Sequence, residues 1–355
     1  MVVKTVKCPK CGKIINCSGN PGEVLKLTCP VCGTQGKITF EREIKIKDAA
    51  VKVTDLRKVY GDLVAVNNIS FSVRKGEVFA FLGPNGAGKT TTVEMIESIR
   101  KPTAGNIEIF GNNVATSFNE VKERIGILPQ EFYSFEKYTI RETLVFFSML
   151  YKKQANIDEI IVAMNLKDKE KMLYKNLSGG LKQRVGVAIS LVNDPDIIFL
   201  DEPTTGLDPK SRREVWDVIA GLRKKGKTIF LTTHYMEEAE YLADHIAIIH
   251  KGNIIAEGSL DELIEKYGEE SVLRIKDCKT SDIVDVLKES GFEVVKKGNG
   301  DIAVRIPYKE KILDILSIMK RECVDYSTID IRRSNLEEIF LKLTGASLGG
   351  LILES

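Results

Sequence analysis

The run Gly83-Pro84-Asn85-Gly86-Ala87-Gly88-Lys89-Thr90 lies between an apolar stretch, Glu77–Leu82, and a helical pattern over Thr90–Ile99. A strand that feeds a glycine-rich loop and then a helix is the context a phosphate-binding loop requires. Glycines let the backbone turn tightly, so that several N–H groups converge on phosphate oxygens. The following helix adds the positive end of its dipole. Lys89 is then placed to reach the β- and γ-phosphates, and the Thr90 hydroxyl to ligate Mg²⁺. An ordinary glycine-rich turn needs neither the Lys-Thr pair nor the flanking strand and helix.

A second apolar run, Ile197-Ile198-Phe199-Leu200, ends in Asp201-Glu202. Beside a phosphate loop, Asp201 is expected to hold Mg²⁺ through water, and Glu202 to act as general base or to orient the attacking water. Such proton-transfer groups are worth about 10²–10⁴-fold in rate. Many nucleotide hydrolases share these two features. The discriminating stretch is Asn176-Leu177-Ser178-Gly179-Gly180-Leu181-Lys182-Gln183-Arg184, between them in sequence.

That stretch resembles the signature motif of ATP-binding cassette (ABC) proteins, and the resemblance extends over roughly Val51 to Tyr267. Leu181 stands where Gln is usual, and an apolar residue there is found in drug-exporter-like members. The resemblance implies an ATPase with phosphates cradled by Gly83, Pro84, Asn85, Gly86, Ala87, Gly88, Lys89, Thr90 and Thr91. Tyr60 matches the aromatic on which adenine stacks. Gln130, in Leu128-Pro129-Gln130-Glu131, matches the glutamine that senses Mg²⁺ and the attacking water. Asp208, in Thr205-Gly206-Leu207-Asp208, matches the loop that couples two nucleotide sites, and it is also placed to cap a helix starting near Pro209. His234, after the strand Thr228–Leu231, matches the histidine that contacts the γ-phosphate. In this family Ser178, Gly179 and Gly180 act in trans on nucleotide held by a partner's loop, which implies a head-to-tail homodimer, or a heterodimer with a related cassette, when ATP is bound.

Around this cassette, expected over 51–267, the sequence has two further parts. Residues 1–47 hold five of the seven cysteines as Cys8-Pro9-Lys10-Cys11-Gly12, Cys17 and Cys29-Pro30-Val31-Cys32-Gly33. Two Cys-x₂-Cys pairs 17 residues apart fit a zinc ribbon with Cys8, Cys11, Cys29 and Cys32 as ligands, iron in a rubredoxin-like site being the other metal option. Cys17 is read as a small residue of the intervening loop. Alternation over Val24–Thr28 and Lys37–Glu43 predicts short strands. Lys4, Lys7, Lys10 and Lys13 make the module basic, which serves either a solvated face or a binding surface.

From Ser271 the order reads βαββαβ: strands Ser271–Ile275, Glu293–Lys297, Ile302–Ile306 and Tyr326–Ile331, with helices Ser281–Glu289 and Lys309–Arg321. That is a ferredoxin-like α+β domain, expected over 271–345 with a tail at 346–355. A last helix, Asn335–Leu343, carries Leu336, Ile339, Phe340 and Leu343 at helical spacing. The predicted whole is thus an α/β P-loop ABC cassette with a helical subdomain, flanked by a zinc ribbon and a ferredoxin-like domain.

The 355 residues carry a formal net charge of only +2, and no apolar run approaches the roughly 18–20 residues that span a bilayer. About 90 residues separate Lys89 from Ser178, room for a small helical subdomain and not for a long coiled coil. The expectation is an ATP-hydrolysing subunit of an ABC exporter, cytoplasmic and held at the inner face of the membrane by a separate permease. Phe132, Tyr133, Phe135 and Tyr138 either line a groove for that permease or belong to the core of the helical subdomain. The alternative function is a soluble ABC ATPase that acts on nucleic acid or a protein complex through the ribbon.

Overall fold

The computed structural model describes residues 2–8, 10–19, 24–39, 49–268, 271–278, 283–296, 301–306 and 311–345. The expected tail 346–355 lies outside these residues, as do the expected element ends at Glu43, Ser281, Lys297 and Lys309.

Two antiparallel hairpins come first. β1 (Val2–Lys7) pairs with β2 (Ile14–Gly19), and β3 (Val24–Thr28) pairs with β4 (Gln35–Thr39). Each Cys-x₂-Cys pair forms the turn of one hairpin. Cys17 lies on β2 and is buried, so it is a strand residue and not a loop residue.

β5 (Ala49–Tyr60) and β6 (Leu63–Arg74) form a long hairpin, after which β7 (Val78–Leu82) enters a separate sheet and leads into α1 (Lys89–Ile96). The chain returns beside β5 as β8 (Ala104–Ile109) and β9 (Asn112–Asn113), which completes an antiparallel sheet of order β6-β5-β8-β9. Sequence alternation did not single out this sheet. α2 (Val114–Val121) then leads to β10 (Ile125–Leu128). A helical insertion of α3 (Ile140–Ser148), α4 (Ile157–Ala163) and α5 (Gly179–Ile189) follows. The remaining cassette elements are β11 (Ile197–Asp201), α6 (Pro209–Lys224), β12 (Thr228–Thr233), α7 (Met236–Leu242), β13 (His245–His250), β14 (Asn253–Gly258) and α8 (Leu260–Tyr267).

The central sheet has the order β10-β11-β12-β7-β13-β14, parallel throughout except for the β13–β14 pair. Its strands read as unbroken apolar runs because both faces are covered. On β7, Phe79 and Phe81 point one way and Val78, Ala80 and Leu82 the other. Phe71 of β6 stacks on Phe79 at 5.3 Å and lies 5.5 and 6.0 Å from Phe81 and Phe230, which joins the antiparallel sheet to the parallel one. Each such buried ring contributes roughly 1.5–3 kcal/mol. The strands most deeply held are therefore those whose ends form the site.

Beyond α8 come β15 (Ser271–Lys276), α9 (Ile283–Glu289), β16 (Val294–Lys296), β17 (Ile302–Ile306), α10 (Lys311–Arg321), β18 (Thr328–Arg332) and α11 (Leu336–Thr344). The antiparallel order β16-β17-β15-β18 with α9 and α10 on one face is the ferredoxin-like arrangement expected from the βαββαβ pattern.

One element departs from its expected place. α11 sends Leu336, Ile339 and Phe340 into the core of the cassette, and not into that of the sheet it follows. Its first amide, Leu336 N–H, donates to Glu240 on α7 at 2.7 Å, and the Phe340 ring meets His250 edge-on. Helical spacing revealed that an apolar face existed and carried no information about what covers it. Phe340→Ala should therefore destabilise the cassette by about 3–5 kcal/mol in denaturant unfolding. A loss below about 1 kcal/mol, the scale of an exposed substitution, would show that the helix is not packed there.

Candidate functional site

Strands β11, β12 and β7 are neighbours and parallel, so their carboxyl ends open on one edge of the sheet, where open α/β sheets bind ligands. Gly83 continues β7 and donates its N–H to Thr233 O at the end of β12. A Cβ at Gly83 would lie 2.4 Å from Ile249 O. Gly88 has φ of +105°, and a Cβ there would lie 2.6 Å from Ala65 O. Both positions thus exclude a side chain by contact with a backbone oxygen, and Gly88 does so also by its positive φ. Asn85 and Gly86 form the exposed crest of the loop, and the Ala87 N–H returns to Pro84 O. Thr90 and Thr91 follow in the first turn of α1.

Lys89 is almost fully buried, yet its ammonium has three partners. It donates to Gly83 O at 2.9 Å and Pro84 O at 3.2 Å, and pairs with Glu202 Oε1 at 3.0 Å. Glu202 follows β11 directly and has φ of +50°, a strained backbone for a residue with a side chain. Its N–H is clamped by Thr232, through the carbonyl oxygen at 3.2 Å and the hydroxyl at 3.0 Å. The second carboxylate oxygen accepts from Thr205 Oγ1 at 2.9 Å and faces His234 Nδ1 at 3.1 Å. The bond to His234, with the Lys89 charge behind it, holds the Glu202 carboxyl down at about 2 against the cost of burial.

Asp201 closes β11. It accepts a short hydrogen bond from Thr232 Oγ1, and the nearby Thr90 side chain also favours its charged form. Burial pushes its carboxyl up, and Glu202 next door adds to that. A divalent cation would reverse this bias. Asp201 and Thr90 supply hard oxygen donors side by side, the chemistry Mg²⁺ selects. The site residues therefore fit the ion.

The other predicted residues surround this edge. Gln130 is exposed two residues beyond β10, the strand next to β11. His234 follows β12 and rests against Tyr235, ring centroids 4.1 Å apart. Tyr60 ends β5 with its ring 37% exposed, and Lys58 and Arg100 lie 5.1 and 5.5 Å from its centroid. Asp208 caps α6, as expected, by accepting from Lys210 N–H and Ser211 N–H at 3.0 Å. Ser178 caps α5 through a long bond from Leu181 N–H. Gly180 abuts α6, where a Cβ would lie 2.8 Å from Ser211. Within one chain the Ser178–Gly180 turn thus stands beside the Asp208 loop, with Ser178 and Gly179 exposed.

The aromatic residues after Gln130 divide between their two readings. Phe132 packs in the core against Phe147 and Tyr174. Tyr133, Phe135 and Tyr138 are 82, 47 and 38% exposed, and the last two meet Phe146 in a surface cluster.

In the N-terminal module the sulfur atoms of Cys8, Cys11, Cys29 and Cys32 all lie within 4.8 Å of one another. The Cys8–Cys32 and Cys11–Cys29 separations are both 3.6 Å. A tetrahedral thiolate site with Zn–S near 2.3 Å requires roughly 3.7–3.8 Å, so the four sulfurs fit a closed tetrahedral ion. The two turns repeat one hydrogen-bond pattern: Cys8 N–H to Lys13 O with Gly12 N–H to Cys8 O, and Cys29 N–H to Thr34 O with Gly33 N–H to Cys29 O.

Sequence reading missed Thr232, which clamps Glu202, and Glu238, which is wholly buried on α7. Glu238 is set in the acidic run Glu237-Glu238-Ala239-Glu240, which reads as a solvated face. The available signal was its place on the same stripe as Ala239 and Leu242.

A parallel sheet with a glycine loop, a buried lysine and a strand-end carboxylate pair defines a P-loop nucleotide hydrolase. A sequence profile described as "ABC transporter" matches residues 66–205. The chain is 35% identical over 305 residues to the daunorubicin resistance ATP-binding protein DrrA3 of Streptomyces coeruleorubidus, covering 84% of this chain and 96% of that one. It is 37% identical over 305 residues to the Nod factor export ATP-binding protein I of Burkholderia orbicola, covering 84% and 98%. With the linearmycin resistance ATP-binding protein LnrL of Bacillus subtilis it shares 32% over 310 residues, covering 84% and 99%. Among solved structures it is similar to an ATP-binding subunit of an ABC transporter, with a TM-score of 0.55 and 28% identity over 61% of this chain and 93% of that one. The dimeric bacterial ABC transporter cassette MJ0796 gives a TM-score of 0.53 and 26% identity over 59% and 98%. The chain belongs to the ATP-binding cassettes of ABC transporters, and it is an ATPase.

Because Gly88 tolerates neither a side chain nor a negative φ, Gly88→Ala should cost roughly 1–3 kcal/mol of strain in the loop and weaken ATP binding about tenfold or more. Titration with a fluorescent ATP analogue reads this, and unchanged affinity would show that the loop relaxes without consequence.

Proposed function

We propose that this chain is the ATP-hydrolysing subunit of an exporter-type ABC transporter and works as a head-to-tail dimer beneath a separate membrane permease. The observation that carries the reading is the convergence of Lys89, Asp201, Glu202 and His234 on one sheet edge, in a chain similar over nearly its whole cassette to resistance and export ATP-binding proteins. Nothing among the relatives favours the alternative of a cassette acting on nucleic acid. Among the described residues no helix is long and apolar enough to cross a membrane, and the reading assigns the membrane path to another chain.

The geometry supports the following roles. The backbone amides of Gly83 to Thr91 and the Lys89 ammonium bind the phosphates, and Tyr60 offers its exposed face to adenine, worth roughly 1–3 kcal/mol as a stacking platform. Thr90, Asp201 and Gln130 would hold Mg²⁺, which supplies charge neutralisation at the β- and γ-phosphates. Glu202, ionised and hydrogen-bonded on both oxygens, accepts a proton from the attacking water or fixes its lone pair in line. His234 releases Glu202 to face the γ-phosphate. Ser178 and Gly179, exposed beside the Asp208 loop, complete a partner's site together with Gly180, which seats their turn against α6. In such a dimer the two Asp208 loops would link the sites.

Tyr133, Phe135 and Tyr138 form the exposed aromatic patch a permease would cover. A cytoplasmic chain at the inner face of the membrane follows. The four N-terminal thiolates take Zn²⁺ as a structural ion, whose binding supports a segment too small to bury much core, at roughly 10–16 kcal/mol in comparable modules.

Two measurements test these assignments. Glu202→Gln should bind ATP with near-normal affinity and lose turnover by about 10²–10⁴-fold. Ordinary turnover in that variant would remove Glu202 from its role. Elemental analysis should find close to one zinc per chain, and Cys29→Ser should lose it. Metal-free protein with an intact N-terminal module, or iron in its place, would overturn the zinc assignment.

A further inference from the structure

Two carboxylates fasten the loop that begins at Thr204, and only one of them belongs to the site described above. Glu202 Oε2 accepts from Thr205 Oγ1 at 2.9 Å and meets His234 Nδ1 at 3.1 Å. One residue earlier, Thr204 Oγ1 donates to Glu238 Oε1 at 2.7 Å, and the same oxygen accepts from Trp216 Nε1 of α6 at 2.8 Å. Thr204, Trp216 and Glu238 are all essentially without solvent access. Adjacent threonines are thus tied in opposite directions, Thr205 toward the reacting end of the site and Thr204 toward α7.

α7 begins at Met236, two residues after His234, so any shift of Glu238 is carried within one helical turn to the histidine. A second contact joins the same elements. The Arg212 guanidinium of α6 lies 4.0 Å from the centroid of Tyr235, the residue next to His234. A buried carboxyl with two donors is costly to disturb, because either donor left unpaired would lose roughly 1–3 kcal/mol. The contacts therefore favour joint movement over separate movement.

We propose that Glu238 is a positioning residue that locks the Thr204–Asp208 loop to the His234 loop, so that γ-phosphate contact and the partner-facing loop move as one unit. The inference rests on the proposed roles of His234 and the Asp208 loop. Glu238 touches neither nucleotide nor the reacting atoms. Its effect passes through Thr204 on one side and the start of α7 on the other.

The test uses the full chain with ATP and Mg²⁺. Thr204→Val and Glu238→Met, each of which removes the bond between the two residues, should each lower kcat by about 10- to 100-fold, the cost of roughly 1 Å of misplacement. The KM for ATP should stay within about twofold, because uniform binding is untouched. Cooperativity in ATP should fall toward a Hill coefficient of one, and the double variant should be no slower than the worse single one. Trp216→Phe removes the other donor to the same oxygen and leaves the loop contact, so it should lower Tm while keeping kcat and cooperativity. Normal kcat and cooperativity in Thr204→Val and Glu238→Met, or losses that only track Tm in all three variants, would overturn the proposal. His234→Ala separates the two layers. Ordinary turnover there would sink the role of His234 itself, whereas a dead His234→Ala beside active Thr204→Val and Glu238→Met would remove Glu238 alone.

Discussion

The structure is organised around a buried ion pair, Lys89 with Glu202, both with less than a tenth of their surface accessible. Taking two charges out of water is expensive, and an ion pair repays it only when every remaining donor and acceptor is satisfied. Here three acceptors meet the lysine, while Thr205 and His234 occupy the other glutamate oxygen. That arrangement exists because β7 and β11 are both neighbours of β12, which sets the glycine loop and the carboxylate end of β11 on one edge. A hydrophobic pair would stabilise such a position at least as well, so retention of the charges points to function. A triphosphate offers Lys89 a stronger counter-charge than Glu202 does. In the proposed mechanism its arrival would free the carboxylate for water and open His234 toward phosphate.

The features legible in the sequence are those in which one short segment contains both the chemistry and its scaffold. Gly83–Thr90 has its strand and helix on either side, and Asp201–Glu202 ends its own strand. The two cysteine pairs carry their own turns. The βαββαβ order from Ser271 was legible for the same reason, since each strand alternates visibly. What stayed hidden depends on pairings far apart in sequence. The β6-β5-β8-β9 sheet is assembled around an intervening strand and helix. Glu238 looks like one more surface acid until α6 and the loop after β11 close over it. The apolar stripe of α11 could equally have served the sheet it follows.

The three parts of the chain differ in what stabilises them. The cassette buries aromatic layers on both faces of its central sheet. The C-terminal sheet buries one face under α9 and α10, with Leu273, Ile275 and Val304 fully covered. The N-terminal hairpins have little to bury and instead bring four cysteine sulfur atoms to a common point. α11 leaves the second part to pack on the first, and Glu240 holds its leading amide. This gives the C-terminal segment a direct mechanical hold on α7, the helix that starts beside His234.

In the proposed dimer each nucleotide site is completed by a second chain. Sedimentation of the Glu202→Gln protein with ATP and Mg²⁺, compared with the same protein free of nucleotide, tests this. Blocked turnover should trap the closed state, so that the ATP-bound protein sediments at twice the mass of one chain and returns to one chain when Ser178→Arg is added. Protein that binds ATP and remains at the mass of one chain would contradict a shared site.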